Sequence, residues 1–187
     1  MELAKALCIQ PGVTALIGSG GKTSAMLRLA RELGRDARVI VCTSTRILPP
    51  EGLPLLREPD AARAADILAH ERILCVGTPA EKGKLAAPGL AFSQLAALAD
   101  FVLVEADGSK RLPVKAHAAY EPVIPPEANQ TVCVFGLSGV GLPICEAAHR
   151  AELYAKNLNV PPETILTPQL AAAHLNLEGL HTRVLLN

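Results

Sequence analysis

The sequence predicts an α/β protein of three layers, in which a mostly parallel sheet carries helices on both faces. Short apolar runs alternate with amphipathic stretches along all 187 residues, and this alternation is typical of parallel strands joined by helices. Aromatic residues make up 3% of the chain and Trp is absent. The core is therefore built from Leu, Val, Ile and Ala, which suits a parallel sheet covered by helices. A glycine-rich loop also joins the first predicted strand to a helix.

This glycine-rich loop is the strongest local pattern. Residues 13–17 form an apolar run that predicts a buried strand, and residues 22–33 predict a helix that ends at Gly34. The loop between them reads Gly18-Ser-Gly-Gly-Lys-Thr23. Glycines let backbone N–H groups turn toward an anion, and the following helix adds its positive end. The strict phosphate-loop pattern has a glycine where this chain has Leu16, so the loop is a shorter variant.

The loop predicts that the protein binds ATP or GTP together with Mg²⁺, in a fold of the P-loop NTPase type. Lys22 would reach the β- and γ-phosphates, and the Thr23 hydroxyl would ligate Mg²⁺. The expected phosphate-binding residues of this stretch are Gly18, Ser19, Gly20, Gly21, Lys22, Thr23 and Ser24. The alternative is a glycine-rich turn with a solvated lysine.

A second predicted strand, over residues 37–42, is followed directly by Thr43. Ligands of open α/β sheets bind at the carboxyl ends of the strands. We therefore expect Thr43 to help hold Mg²⁺. The alternative is a polar turn that precedes Pro49 and Pro50.

Two carboxylates follow the apolar run at residues 101–104. Glu105 and Asp107 are predicted to be catalytic, because carboxylates beside a bound nucleotide hold the metal or orient the attacking water. Glu105 is also the expected protein carboxylate on Mg²⁺. For Asp107 and Gly108 the alternative is a simple turn. Lys110 is expected to bind phosphate. Three basic residues follow it: Arg111, Lys115 and His117. They either bind phosphate or an acidic substrate, or belong to a solvated loop.

The remaining elements follow the same alternation. Helices are predicted over residues 2–8, 61–70, 92–99, 146–158 and 168–175, and strands over 72–76 and 131–137. Residues 77–89 are predicted to form a mobile surface loop. The chain ends at Asn187 in what reads as one more strand, so we expect a single domain over residues 1–187 that continues in the native protein.

Composition excludes several classes of function. Eighteen basic residues balance 18 acidic ones, which argues against nucleic acid as the main partner. No apolar run approaches the ~20 residues that span a bilayer. None of the five cysteines has CxxC spacing; Cys42, Cys75 and Cys133 are predicted to be buried thiols and Cys145 to be exposed. Free thiols predict a cytoplasmic protein.

The chain resembles the selenium-dependent hydroxylase accessory proteins, the YqeC family. The resemblance is carried by three segments: Ile17-Gly-Ser-Gly-Gly-Lys-Thr23, Val104-Glu-Ala-Asp-Gly-Ser-Lys-Arg-Leu-Pro-Val-Lys115 and Glu121-Pro-Val-Ile-Pro125. Further support comes from Val134-Phe-Gly-Leu137, from Gly139 and Gly141, and from His149-Arg150.

This resemblance implies a phosphate-loop nucleotide-binding fold and a role in the maturation of selenium-dependent molybdenum hydroxylases. The implied partners are such a hydroxylase or its cofactor-maturation proteins. Family members continue into an Asn-Lys-x-Asp-like segment, of which this chain holds Asn187 alone. Both ATP and GTP therefore remain open as the nucleotide.

Two further functions stay open beside a nucleotide-binding accessory protein or NTPase. The loop Gly18-Ser-Gly-Gly-Lys-Thr23 is similar to the Gly-Thr-x-Gly-Lys-Thr loop of the Mur peptide ligases, which form acyl-phosphates from ATP. A non-enzymatic module that holds an anionic cofactor through this loop is the other alternative.

Overall fold

The computed structural model describes residues 2–187. Its centre is a nine-stranded sheet with the strand order β11-β9-β1-β7-β2-β5-β6-β3, in which β4 also pairs with β5. The central strands are β1 (Gly12–Gly18), β7 (Phe101–Glu105) and β9 (Ala128–Phe135). The other strands of this sheet are β2 (Val39–Thr43), β3 (Arg46–Ile47), β4 (Leu55–Arg57), β5 (Ile73–Pro79), β6 (Leu85–Ala86) and β11 (Arg183–Leu186).

All neighbouring strands of this sheet run parallel except β6, which is antiparallel to both β5 and β3. A second, two-stranded parallel sheet joins β8 (Val114–Lys115) to β10 (Ala148–His149). The mostly parallel α/β sheet that the sequence predicts is therefore confirmed.

Helices cover both faces of the central sheet, as predicted. Alternate residues of β2 point to opposite sides, because side chains in a strand alternate: Val39 packs in the same core cluster as Leu29, whereas Ile40 packs with Leu68 and Leu95. The helices are α1 (Leu3–Ala6), α2 (Lys22–Leu33), α3 (Ala61–His70), α4 (Phe92–Leu98), α5 (Ile144–Ala147), α6 (Ala151–Leu158) and α7 (Pro168–Glu178). Among the described residues, none of the helices combines the length and apolarity that a bilayer crossing requires.

The prediction of a mobile loop over residues 77–89 is wrong in part. β5 continues to Pro79, and Leu85–Ala86 forms β6, which pairs with it. The reason is the side chain of Leu85, which is fully buried in the core and fixes the segment against the sheet.

The predicted helix over residues 146–158 is also wrong at its start. Arg150 has a left-handed backbone with φ of 64°, which separates α6 from α5. The two residues before it form β10 and pair with Val114 and Lys115. These hydrogen bonds to a distant segment replace the helical bonds that the local pattern favours.

The cysteine predictions are confirmed. Cys42, Cys75 and Cys133 are buried free thiols, and Cys145 is exposed. Burial raises the pKa of the Cys75 thiol to about 12, and the pKa of Cys133 to about 12 as well. These two buried thiols are therefore unreactive at neutral pH.

Gly18 is the glycine on which the end of β1 most depends. Its φ is +89°, and a Cβ there would lie 2.3 Å from the backbone oxygen of Val134. We expect Gly18→Ala to lower the free energy of unfolding by about 3 kcal/mol, from backbone strain and overpacking together. Urea denaturation measures this loss.

Gly83→Ala is the matched control. Gly83 also has a positive φ, +69°, but nothing lies within 4 Å of its added Cβ. We expect Gly83→Ala to lower the free energy of unfolding by about 1 kcal/mol, from backbone strain alone. Equal losses in the two variants would show that the contact with Val134 does not matter.

Candidate functional site

An open pocket of about 920 Å³ lies where the glycine-rich loop, the segment after β2 and the segment after β7 meet. The register of the sheet brings these segments together, because Leu16 pairs with Glu105 and Glu105 pairs with Thr43. The carboxyl ends of β1, β7 and β2 therefore lie side by side. This is the edge of an open parallel sheet at which ligands bind.

The glycine-rich loop presents unused backbone donors to this pocket. Gly20 and Gly21 have φ of 80° and 120°, which only glycine adopts without strain. Within residues 2–187, the N–H groups of Gly20, Gly21 and Lys22 donate to no acceptor. Consecutive free N–H groups at the start of an α-helix form an anion-binding concavity.

A hydroxyl and a carboxylate meet at the edge of this concavity. Thr23 Oγ1 donates to Glu105 Oε2 at 3.0 Å, and both residues line the pocket. Burial raises the pKa of Glu105 above its ordinary value, although the nearby charge of Lys22 and the hydrogen bond from Thr23 partly offset this effect. Glu105 therefore accepts a proton or a cation more readily than a solvated glutamate does.

The loop lysine points away from the open space. Lys22 Nζ lies 3.0 Å from Asp107 Oδ1 and donates to the Gly18 carbonyl at 2.6 Å. Its side chain is 3% exposed. Although Lys22 lines the pocket, its charge is already matched by a buried carboxylate.

Asp107 is the centre of a buried polar network. Its Oδ2 accepts a hydrogen bond from the Gly18 N–H at 2.8 Å and lies 2.7 Å from His117 Nε2 and 3.2 Å from Lys115 Nζ. Burial alone would raise the pKa of Asp107, but the hydrogen bond from His117 and the charges of Lys22 and Lys115 outweigh it and lower the pKa to about 2. Asp107 is thus ionised at every ordinary pH.

The network continues from Asp107 to Glu178 in α7 and to Arg150, the residue before α6. The ring nitrogen Nδ1 of His117 lies 2.8 Å from Glu178 Oε2. The backbone N–H of His117 donates to Oε1 of the same carboxylate at 2.7 Å. Lys115 Nζ lies 2.7 Å from Glu121 Oε1, which also pairs with Arg150. The glycine-rich loop is therefore connected to α7 by a chain of charged contacts.

The structure brings together most of the residues predicted to bind the nucleotide. Those that line the pocket are Gly20, Gly21, Lys22, Thr23, Ser24, Glu105 and Lys110. Gly18 and Ser19 do not line it: the Gly18 N–H donates to Asp107, and the Ser19 N–H and hydroxyl donate to Val134 and Leu112.

Two further predicted residues lie behind the pocket. Thr43 is fully buried, and its hydroxyl donates to the Glu105 carbonyl at 2.7 Å. Asp107 is fully buried as well and holds Lys22 rather than facing the open space. The geometry therefore gives both a structural position behind the pocket wall.

Sequence reasoning missed Glu178 and the pairing of Glu121 with Arg150. His117 and Glu178 are 61 residues apart, so no local spacing could reveal their contact. Glu121 and Arg150 stand in the segments that carry the family resemblance, and this was the one available signal. Arg46 and Lys84, which line the pocket, were not predicted as site residues either.

Comparison with known proteins agrees with the resemblance. The family model described as YqeC protein matches residues 14–152. A protein of Escherichia coli (strain K12), described as uncharacterized protein YqeC, is 29% identical over 167 residues. The match covers 84% of this chain and 64% of that protein, so the chain spans less than two thirds of the relative's length. No solved structure matches the chain.

The pKa values of two histidines beside Glu178 are shifted in opposite directions: those of His117, and of His174, whose Nε2 lies 3.9 Å from Glu178 Oε1. Burial opposes a charge on His117, but the hydrogen bonds to Asp107 and Glu178 outweigh it and raise the pKa of His117 above 6.5. Burial lowers the pKa of His174 to about 4. We expect NMR titration of the imidazole signals to resolve these two values, and Glu178→Gln to lower the pKa of His117.

The sign of the pH dependence follows from these shifts. The stability that charged His117 contributes is fully present below pH 6.5 and is lost as the pH rises through its higher folded-state pKa. Glu163→Gln is the control for Glu178→Gln, because it removes an exposed carboxylate outside the network and should leave the pKa of His117 unchanged. A His117 pKa at or below 6.5, or one that Glu178→Gln leaves unchanged, would contradict the network.

Proposed function

The chain belongs to the YqeC family, and we propose that it is a cytoplasmic nucleotide-binding protein of the P-loop NTPase type. In this proposal it binds ATP or GTP with Mg²⁺ and acts in the maturation of selenium-dependent molybdenum hydroxylases. The nucleotide site is argued from the geometry of the pocket. The hydroxylase and its cofactor-maturation proteins, as partners, rest on the family resemblance alone.

One observation carries the nucleotide site: three free N–H groups of the glycine-rich loop lie beside the Thr23–Glu105 contact at the edge of one pocket. The N–H groups of Gly20, Gly21 and Lys22 and the positive end of α2 favour a phosphate group. Lys110, which is exposed and lines the same pocket, adds a positive charge for the outer phosphates.

The residues present fit a magnesium ion. Thr23 Oγ1 and Glu105 Oε2 are 3.0 Å apart, and oxygen ligands of this kind are the ones Mg²⁺ takes. Mg²⁺ usually keeps several waters and takes one or two carboxylates together with phosphate oxygens, so one carboxylate and one hydroxyl are enough protein ligands. Bound there, the ion would neutralise charge on the phosphates.

Glu105 is the residue we propose for catalysis of nucleotide hydrolysis. It lines the pocket and is 8% exposed. While one of its oxygens would hold Mg²⁺, the other could orient an attacking water or accept its proton. Asp107 acts indirectly in this proposal: its ion pair with Lys22 fixes the base of the loop.

The nucleotide proposal is tested by calorimetric titration with ATP and with GTP, each with and without Mg²⁺. We expect Mg²⁺-dependent binding of at least one of the two. Thr23→Val removes the hydroxyl without adding volume, so it is expected to weaken binding at least tenfold with Mg²⁺ and much less without it. Thr23 is exposed, so the variant is expected to fold normally.

Two controls separate the metal from general damage. Thr23→Ser keeps a hydroxyl and should retain Mg²⁺-dependent binding. Thr164→Val makes the same change outside the pocket lining and should behave as the wild type. If neither nucleotide binds to the folded wild-type chain, the nucleotide proposal is wrong and an anionic cofactor becomes the better candidate for the loop.

Turnover is tested with Glu105→Gln, which keeps the shape of the side chain but removes its charge. We expect the rate of phosphate release to fall by ~100-fold or more, the usual contribution of a general base. Glu51→Gln is the control, because Glu51 is an exposed carboxylate of the same pocket. Equal rates in the wild type and Glu105→Gln would remove Glu105 from catalysis.

Nucleotide binding without turnover in the wild type would favour the non-enzymatic module, and turnover that needs an added carboxylate substrate would favour a ligase.

A further inference from the structure

Two cations lie on the strand pair β3–β6, which we call the cationic arm. Arg46 pairs with Ala86 and Ile47 pairs with Leu85 in antiparallel register. Ile47 and Leu85 are buried in the core. Since side chains alternate along a strand, Arg46 points to the opposite face, and so does Lys84, the residue just before β6. Both line the pocket.

The cations of the arm differ from the two buried lysines of the polar network. Lys22 pairs with Asp107, and Lys115 pairs with Asp107 and Glu121. Within residues 2–187, Arg46 and Lys84 are in no ion pair and make no side-chain hydrogen bond. A cation held at a pocket wall without a carboxylate partner is available to an anionic ligand.

The arm and the glycine-rich loop belong to different strands of the pocket wall. Three strands, β7, β2 and β5, stand between β1 and β6 in the sheet, and Arg46 follows Thr43, the last residue of β2, by three residues. The pocket of about 920 Å³ is near the upper end of the ~300–1,000 Å³ typical of small-molecule sites, so its volume suits a second small ligand beside a nucleotide.

We propose that the cationic arm binds the phosphate group of a second ligand, which occupies the pocket beside the nucleotide. An Arg and a Lys together match the roughly two negative charges of a phosphate monoester at neutral pH. The inference deepens the proposed function, on which it rests for the position of the first ligand. It makes the protein one that brings a nucleotide and a phosphate-bearing substrate together.

The test is calorimetric titration of inorganic pyrophosphate into the protein saturated with a non-hydrolysable triphosphate analogue and Mg²⁺. We expect one pyrophosphate to bind to the loaded protein, with an affinity that falls as salt is raised. The double variant Arg46→Gln with Lys84→Gln should lose at least tenfold in this affinity and keep the nucleotide Kd within twofold. Both residues lie outside the core, so the variant is expected to fold.

A matched double variant controls for net charge. Arg57→Gln with Lys82→Gln removes one Arg and one Lys that are exposed and outside the pocket lining. It should bind pyrophosphate as the wild type does. Succinate in place of pyrophosphate tests the class of ligand: tighter binding of succinate would overturn the assignment to phosphate.

The outcomes separate this inference from the nucleotide proposal. No pyrophosphate binding to the loaded protein overturns the second site and leaves the nucleotide site intact. A nucleotide Kd that rises in Arg46→Gln with Lys84→Gln also overturns it, because the arm would then serve the nucleotide itself. Pyrophosphate binding that depends on the arm in a protein that binds no nucleotide supports the arm and refutes the nucleotide proposal.

Discussion

The carboxylate of Asp107 is the group on which the rest of the site depends. It is fully buried, and a buried carboxylate without partners costs several kcal/mol. Its partners are the Gly18 N–H and the side chains of Lys22, Lys115 and His117. These groups come from the end of β1, the start of α2 and the segment after β7. A single charge therefore fixes the relative positions of the three segments that surround the glycine-rich loop.

The network also sets the charge that lies under the loop. Its buried and half-buried cations are Lys22, Lys115, Arg150 and His117 when protonated, and its carboxylates are Asp107, Glu121 and Glu178. One positive charge is in excess when His117 is protonated, and the charges cancel when it is neutral. In the proposed function, the attraction of the loop for phosphate therefore depends partly on a histidine that does not line the pocket, in addition to the free N–H groups of the loop itself.

The sequence predicted the parts of this site that are local. The glycine-rich loop and Glu105 could be found because each stands at the end of an apolar strand, and the strand register then brings Glu105 next to the loop. The network could not be found, since His117 meets Glu178 across 61 residues and no spacing encodes such a contact. The same limit explains the error at β10, a two-residue strand held by the distant β8 in a segment whose local pattern favours a helix. β6 pairs with the distant β3 but also with β5 across a short loop, and there the glycine and proline content of the segment favours a loop.

Composition gives an expectation about large partners and none about small ones. The chain carries 18 basic and 18 acidic residues, and this balance argues against a long polyanion. Balance over the whole chain does not mean balance at each surface. At the pocket, Lys22 is neutralised by Asp107, whereas Arg46, Lys84 and Lys110 have no carboxylate partner within residues 2–187 and face the same space. These three cations outnumber the two carboxylates of the pocket lining, Glu51 and Glu105, and such an excess of one sign concentrates small counter-ions. In the proposed function, a neutral protein is therefore still selective for compact phosphate-bearing ligands.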